Sequence, residues 1–141
     1  MEASERNFLI FFMHGARYAL DQVYVAEVMD PAVFWPIPLA PPCYRGAISF
    51  HGAIVAIMDL AAFSGLAPCP ELEKIIVLNV KTASLGFLVE RVARIIPERE
   101  VEMHKAPDVR FASASLCLPE GNAILLDVDA IVREAEISIN G

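Results

Sequence analysis

Residues 45–65, RGAISFHGAIVAIMDLAAFSG, constrain the fold more than any other stretch. Alternation places Tyr44, Gly46, Ile48 and Phe50 on one face of a strand and Arg45, Ala47, Ser49 and His51 on the other, the pattern of a half-buried strand. His51-Gly52 supplies a two-residue turn with a glycine able to take positive φ, and residues 53–58 return as a second apolar strand, completing a β-hairpin. Asp59 then stands at the N-cap of a short helix over residues 60–64, where its carboxylate can accept from orphan N–H groups, and Gly65 can end it.

The rest of the chain has the same texture. Residues 1–6 read as a frayed leader. The apolar run 7–13 (NFLIFFM) turns at His14-Gly15 into residues 17–20, a first hairpin. Asp21 can cap one helical turn at residues 23–25, with a strand ending near Met29. Residues 30–42 form a stiff, extended loop, because Pro31, Pro36, Pro38, Pro41 and Pro42 fix φ and withhold donors from a sheet. Residues 74–79 (KIIVLN) are a strand turned by Lys81-Thr82. Residues 84–96 are too long for one strand and should break near Glu90-Arg91. Residues 97–110 are charged and aperiodic, a surface connection with a short strand at residues 101–103. Residues 113–118 and 123–126 are strands flanking a turn at residues 120–122, and Asp127 or Asp129 caps a final helix through Glu136. GAIVAIMDLAAF from Gly52 and GNAILLDVDAIV from Gly121 echo each other as turn, strand, aspartate and helix. Many short strands with tight turns indicate an all-β barrel or sandwich, and the echo suggests two related halves.

A chain of 141 residues makes one compact domain or two small subdomains sharing a core. Its 56% hydrophobic content exceeds the usual share of about 45–50%, and the mean hydropathy is +0.50. A membrane span is not the explanation: residues 31–44 are broken by prolines, and the next uncharged run ends at Asp59, whereas a span needs roughly 20 apolar residues. The surplus goes into a core and into sticky surface suited to partners. A net charge of −7 disfavours nucleic acid and anionic membranes. No basic and apolar leader precedes the fold, and Cys43, Cys69 and Cys117 have the odd number and wide spacing of reduced thiols, so a cytoplasmic protein is expected.

Catalytic chemistry has little support. No thiol has a local nucleophile signature near His14, His51 or His104, no spacing seeds a zinc site, and no phosphate loop is present. Asp59, Asp127 and Asp129 are explained by helix capping. Arg45 is expected to pair with a nearby carboxylate. Trp35, on the proline-stiffened loop, either anchors that loop to the core or meets a partner.

The motifs together resemble the CheW family, the coupling proteins of bacterial chemotaxis, whose relatives also form the regulatory domain of CheA histidine kinases. The family's opening FLxF run, glycine turn, Y-A-L-D-like strand and V-x-E-V segment correspond to Phe8-Leu9-Ile10-Phe11, Gly15, residues 18–21 and Val25-Ala26-Glu27-Val28. Its most specific stretch, P-x-x-x-x-G-x-x-N-L-R-G-x-x-x-P-x-x-D-L, is matched by Pro41, Gly46, Ser49, Phe50, His51, Gly52, Ala56, Asp59 and Leu60. Residues 85–92 and 125–132 match the later V-G-x-x-V-D-x-V and L-L-D-x-x-x-L-L patterns. Histidine at position 51 replaces the family arginine that pairs with the glutamate matching Glu27, and a family proline is lost at Ala56, so this is a divergent member.

The resemblance implies a mainly all-β domain over residues 7–135, with two SH3-like five-stranded β-barrel subdomains sharing a core, short helices including a C-terminal one, and no catalysis, cofactor or metal. It implies an adaptor that binds the regulatory domain of a CheA-type histidine kinase through Leu9, Gln22, Val25 and Val28, and the cytoplasmic tip of a chemoreceptor through Glu27, Gly46, His51, Phe87 and Val89. It makes no contact with nucleic acid and does not insert into the membrane. If His51 replaces the arginine, only its protonated form pairs well with Glu27, and partner binding should weaken between roughly pH 6 and 8. The same fold redirected to surface motility or to blocking arrays is a second reading. A small β-barrel enzyme or ligand binder built on His51, Cys43 and Asp59 is a third.

Overall fold

The computed structural model describes residues 5–31 and 33–140. Its strands are β1 (Asn7–Met13), β2 (Ala16–Asp21), β3 (Val25–Met29), β4 (Tyr44–Phe50), β5 (Ala53–Asp59), β6 (Lys74–Leu78), β7 (Leu85–Val89), β8 (Arg91–Pro97), β9 (Glu102–His104), β10 (Ala112–Cys117) and β11 (Ala123–Leu126). The helices are α1 (Leu60–Phe63) and α2 (Val128–Asn140), with 3-10 turns at Gln22–Tyr24 and Glu98–Glu100. Two sheets result, a first of six strands ordered β8-β1-β2-β11-β10-β9 and a second of five ordered β3-β6-β7-β5-β4. The chain is mainly β, as expected, and β9 is the sixth strand of the first sheet.

Each sheet is seeded by a hairpin whose turn is a His-Gly pair. His14 and Gly15 have φ of +53° and +74°, and His51 and Gly52 have +48° and +81°. Both turns take positive φ at both central positions, which matches the right-handed twist of the flanking strands. The echo between the halves is also structural. In each sheet a parallel strand pair, β2 with β11 and β5 with β7, includes the strand that leads into an aspartate-capped helix, β11 and β5 respectively. Asp59 accepts from the Ala62 N–H at 3.2 Å, and Asp127 accepts from the Ala130 N–H at 3.0 Å. Asp127, not Asp129, is therefore the cap of α2; Asp129 instead accepts from the Tyr24 hydroxyl at 3.0 Å. Ala56, where the family pattern has proline, donates its N–H to Ser84 O at 3.2 Å, a β5–β7 bond proline could not make.

Three apolar clusters explain the packing. Phe8, Ile10, Leu116 and Leu125 form a cluster within the first sheet. Ile48, Ile57, Ile75 and Leu88 do the same for the second. Between the sheets, Leu9, Phe11 and Leu20 meet Met58, Ile76 and Phe87, with Ile131 of α2 closing the layer. Each side chain fully buried here contributes roughly 1.5–3 kcal/mol relative to exposure. β1 and β7 are thus packed on both faces, and their apolar runs are continuous.

The expected break at residues 84–96 is sharper than a kink. Glu90 separates β7, in the second sheet, from β8, in the first. The expected leader needs correction in its described part: Arg6 Nη2 pairs with Glu98 at 2.9 Å, and Glu5 pairs with Arg99, so both are tied to the turn after β8. Residues 1–4 lie outside the described residues. Among the described residues no helix is long and apolar enough to cross a membrane.

Candidate functional site

Two depressions, one between the two sheets and one on the second sheet, meet at one residue. The larger, an open cleft of about 630 Å³, lies between the start of β1, the end of β2 and β3, and is lined by Arg6, Asp21, Gln22, Val23, Val25 and Asn79. Asp21 shapes it by accepting from the Val23 N–H at 3.0 Å, which winds the chain into the 3-10 turn and turns Val23 outward. The hydrogen bond from Arg6 to Glu98 raises the guanidinium pKa against the opposing effect of burial. Behind the turn, the Tyr24 hydroxyl is held protonated by its bond to Asp129, with burial adding to the upward shift.

The smaller depression, about 320 Å³, is the mouth of the second sheet and is lined by Ala26, Phe50, His51, Val55, Asn79 and Val80. Glu27 on β3 and His51 in the β4–β5 turn stand on opposite outer strands, and their Oε1 and Nε2 atoms lie 3.8 Å apart. Both side chains are well exposed, so the contact adds little to what holds the outer strands. The Phe50 and His51 rings meet edge to face at 4.3 Å.

Asn79 separates the depressions and touches both. Its Nδ2 donates to Val23 O at 2.7 Å, its N–H donates to Tyr24 O at 2.9 Å, and its own carbonyl accepts from Thr82 and Ala83. It therefore ties the 3-10 turn on one side to the β6–β7 turn on the other. The sequence reading takes it as the last residue of a strand. An asparagine between an apolar strand and a Lys-Thr turn is the available signal for this turn-organising role.

The expected site residues fall into three groups. Gln22 and Val25 line the larger cleft, with Val28 half-buried further along β3. His51 lines the smaller depression and faces Glu27, the neighbour of the lining residue Ala26. Leu9, Phe87 and Val89 lie in the layer between the sheets and offer no side chain to a partner. Gly46 is also covered: at φ +140°, a Cβ there would sit 2.6 Å from Trp35 O and 2.8 Å from Phe34 Cβ, so its role is to let the proline-rich loop cross β4. That crossing resolves the reading of Trp35, whose backbone pairs with Ala47 at 2.9 and 2.8 Å while its side chain is 55% exposed. The loop is anchored and the ring is displayed.

A catalytic site on His51, Cys43 and Asp59 is contradicted by placement. His51 and Cys43 flank opposite ends of the seven-residue β4, eight residues or about 26 Å apart at strand rise, while the Asp59 N–H bonds Cys43 O at 2.8 Å. Burial pushes the Cys43 and Cys69 thiols up, away from the thiolate a nucleophile needs. Asp59 is engaged by its helix cap and by Arg45 Nη2 at 3.4 Å.

Residues 7–136 match the family model described as the CheW-like domain. The chain is 24% identical over 144 residues to a probable chemotaxis protein CheW of Rhizobium etli, covering 96% of this chain and 93% of that one. It is 27% identical over 139 residues to the chemotaxis protein CheW of Thermotoga maritima, covering 94% and 91%. The crystal structure of the scaffolding protein TtCheW from Thermoanaerobacter tengcongensis superposes with a TM-score of 0.78 at 21% identity, over 91% of this chain and 92% of that one, and so shares its fold. With the family model spanning nearly its whole length, the chain belongs to the CheW-like domain family, as a non-catalytic adaptor and not an enzyme.

Proposed function

We propose that this protein couples the cytoplasmic tip of a chemoreceptor to the regulatory domain of a CheA-type histidine kinase in chemotaxis, working in the cytoplasm. The kinase occupies the cleft at Gln22 and Val25, with Val28 supporting its wall. The receptor tip meets the mouth at Glu27 and His51, while Leu9, Gly46, Phe87 and Val89 act by shaping these surfaces from within. The observation that carries this reading is Asn79, which lines both depressions and bonds the turn that forms each one. A partner that shifts one turn bears directly on the other, which supplies the shared element that coupling between two sites requires.

Titration calorimetry against a kinase regulatory domain and a receptor tip fragment, each alone and both together, tests the reading. Val25→Asp is expected to abolish kinase binding and leave receptor binding intact. Asn79→Ala is expected to leave each single affinity within a few-fold and to remove the dependence of one on the other. Kinase binding that survives Val25→Asp would place the kinase elsewhere. Binding to neither partner by the folded wild type would mean the adaptor serves another pathway.

A further inference from the structure

The far end of the first sheet carries a second surface of opposite chemistry. Phe12 on β1 pairs across the sheet with Arg91 on β8 and with Arg17 on β2, so three residues form one row over adjacent strands. Both guanidiniums cover the same buried ring: Arg91 Cζ lies 3.7 Å and Arg17 Cζ 5.5 Å from its centroid. Among the described residues, Arg6, Arg45, Arg94, Arg99 and Arg110 are ion-paired, whereas Arg17 and Arg91, and Arg133 on α2, are not.

The surroundings look built for this arrangement. Gly121 leaves room for Arg17, since a Cβ at that position would lie 2.8 Å from its Nη1. On the same rim Arg94 forks onto Glu120 at 3.1 and 3.0 Å. The Glu120 carboxyl is held below the usual range, first by its own backbone N–H and then by Arg94, with Arg17 adding to the pull. Glu90, next to Arg91 in sequence, accepts from the Gly15 N–H at 3.2 Å. Three arginines against two engaged carboxylates leave a local positive excess on a chain of net charge −7.

We infer that the Arg17–Phe12–Arg91 row is a docking site for an extended acidic segment of a protein partner. Stacking on a ring uses the face of a guanidinium and leaves its edge donors available, and those donors match a carboxylate two at a time. Because Phe12 already orders both side chains, an arriving carboxylate meets a fork whose freedom is largely lost beforehand. The overall negative charge repels acidic chains from other faces and so directs them here. The row lies at the opposite end of the β1–β2 hairpin from the cleft at Asn7 and Asp21, five residues or about 17 Å along the strand, so it does not depend on the coupling role.

The test is an NMR titration of the isotope-labelled full chain with a ten-residue peptide of alternating glutamate and serine. A lysine–serine peptide and a single-stranded oligonucleotide serve as comparisons. The acidic peptide is expected to shift the side-chain Nε–Hε signals of Arg17 and Arg91. The doubly substituted Arg17→Gln, Arg91→Gln protein should bind it about tenfold more weakly. The paired Arg→Lys substitutions should weaken binding by several-fold, whereas Lys81→Gln with Lys105→Gln should not. Absence of shifts at the two arginines, full binding by the lysine variant, or equal binding of the oligonucleotide would overturn the inference.

Discussion

The two sheets share a plan and differ in what holds their rims. In the first, exposed ion pairs join distant segments: Arg6 to Glu98, Arg94 to Glu120 and Arg99 to Glu5. The second also carries exposed pairs, Glu27 with His51 and Lys74 with Asp30, but adds a buried aspartate, a glycine under a crossing loop and displayed apolar side chains such as Trp35, Ile54 and Val80. Exposed pairs contribute about 0–1 kcal/mol each, so the first sheet gains little stability from these charges. The second relies at its rim on a few tightly packed positions, Gly46 and Asp59 above all, so its edge is expected to tolerate substitution less well than that of the first.

The sharpest way to break that contrast is at the glycines. Gly46→Ala is expected to cost about 3 kcal/mol, because positive φ and a collision with Trp35 O act together. Gly15→Ala, also at positive φ but in open space, should cost about 1 kcal/mol. Urea unfolding midpoints compare the two, and equal losses would dissolve the distinction. The helix caps come next. Asp59→Ala should cost about 2 kcal/mol and Asp127→Ala about 1 kcal/mol, since only the first is fully buried and also engages Arg45. The same unfolding measurement ranks them.

Smaller effects sharpen the picture at the rims. Arg94→Ala is expected to change stability by less than about 1 kcal/mol and to lose even that in 1 M salt. Smallest is the link between the halves at Tyr24 and Asp129, where Tyr24→Phe should cost about 0.5 kcal/mol. The folded phenol has a raised pKa relative to its ordinary value of 10.0. Its contribution is therefore complete below that value and is lost as pH rises through the higher folded one. Wild-type and Tyr24→Phe stabilities measured from pH 8 to 11 should converge at the alkaline end.

Much of the fold was legible because its devices are local. A His-Gly pair between apolar strands, an aspartate before a helical turn, and a run too long for one strand each act within a few residues of where they are written. The site was less legible for a physical reason seen at Leu9, Phe87 and Val89. Alternation identifies a face only when one side of a strand meets solvent, and β1 and β7 have apolar neighbours on both. Asn79 escaped because its partners, Val23 and Tyr24, are far away in sequence, and the anchoring of Glu5 by Arg99 escaped for the same reason. Gly46 matched a family position, yet its need for a missing side chain arises only once the proline-rich loop lies across it.

The passage of the chain from β7 to β8 through the single residue Glu90 has a consequence for synthesis. The first sheet is begun by β1 and β2 but completed only by strands at the other end of the chain, with the whole second sheet translated in between. At about 5–20 residues per second, β2 waits roughly 5–20 s for its neighbour β11 to leave the ribosome. The NFLIFFM segment of β1, already paired with β2, keeps its other edge open until β8 follows, and the second sheet, whose strands are contiguous in sequence, is the first surface able to shelter it.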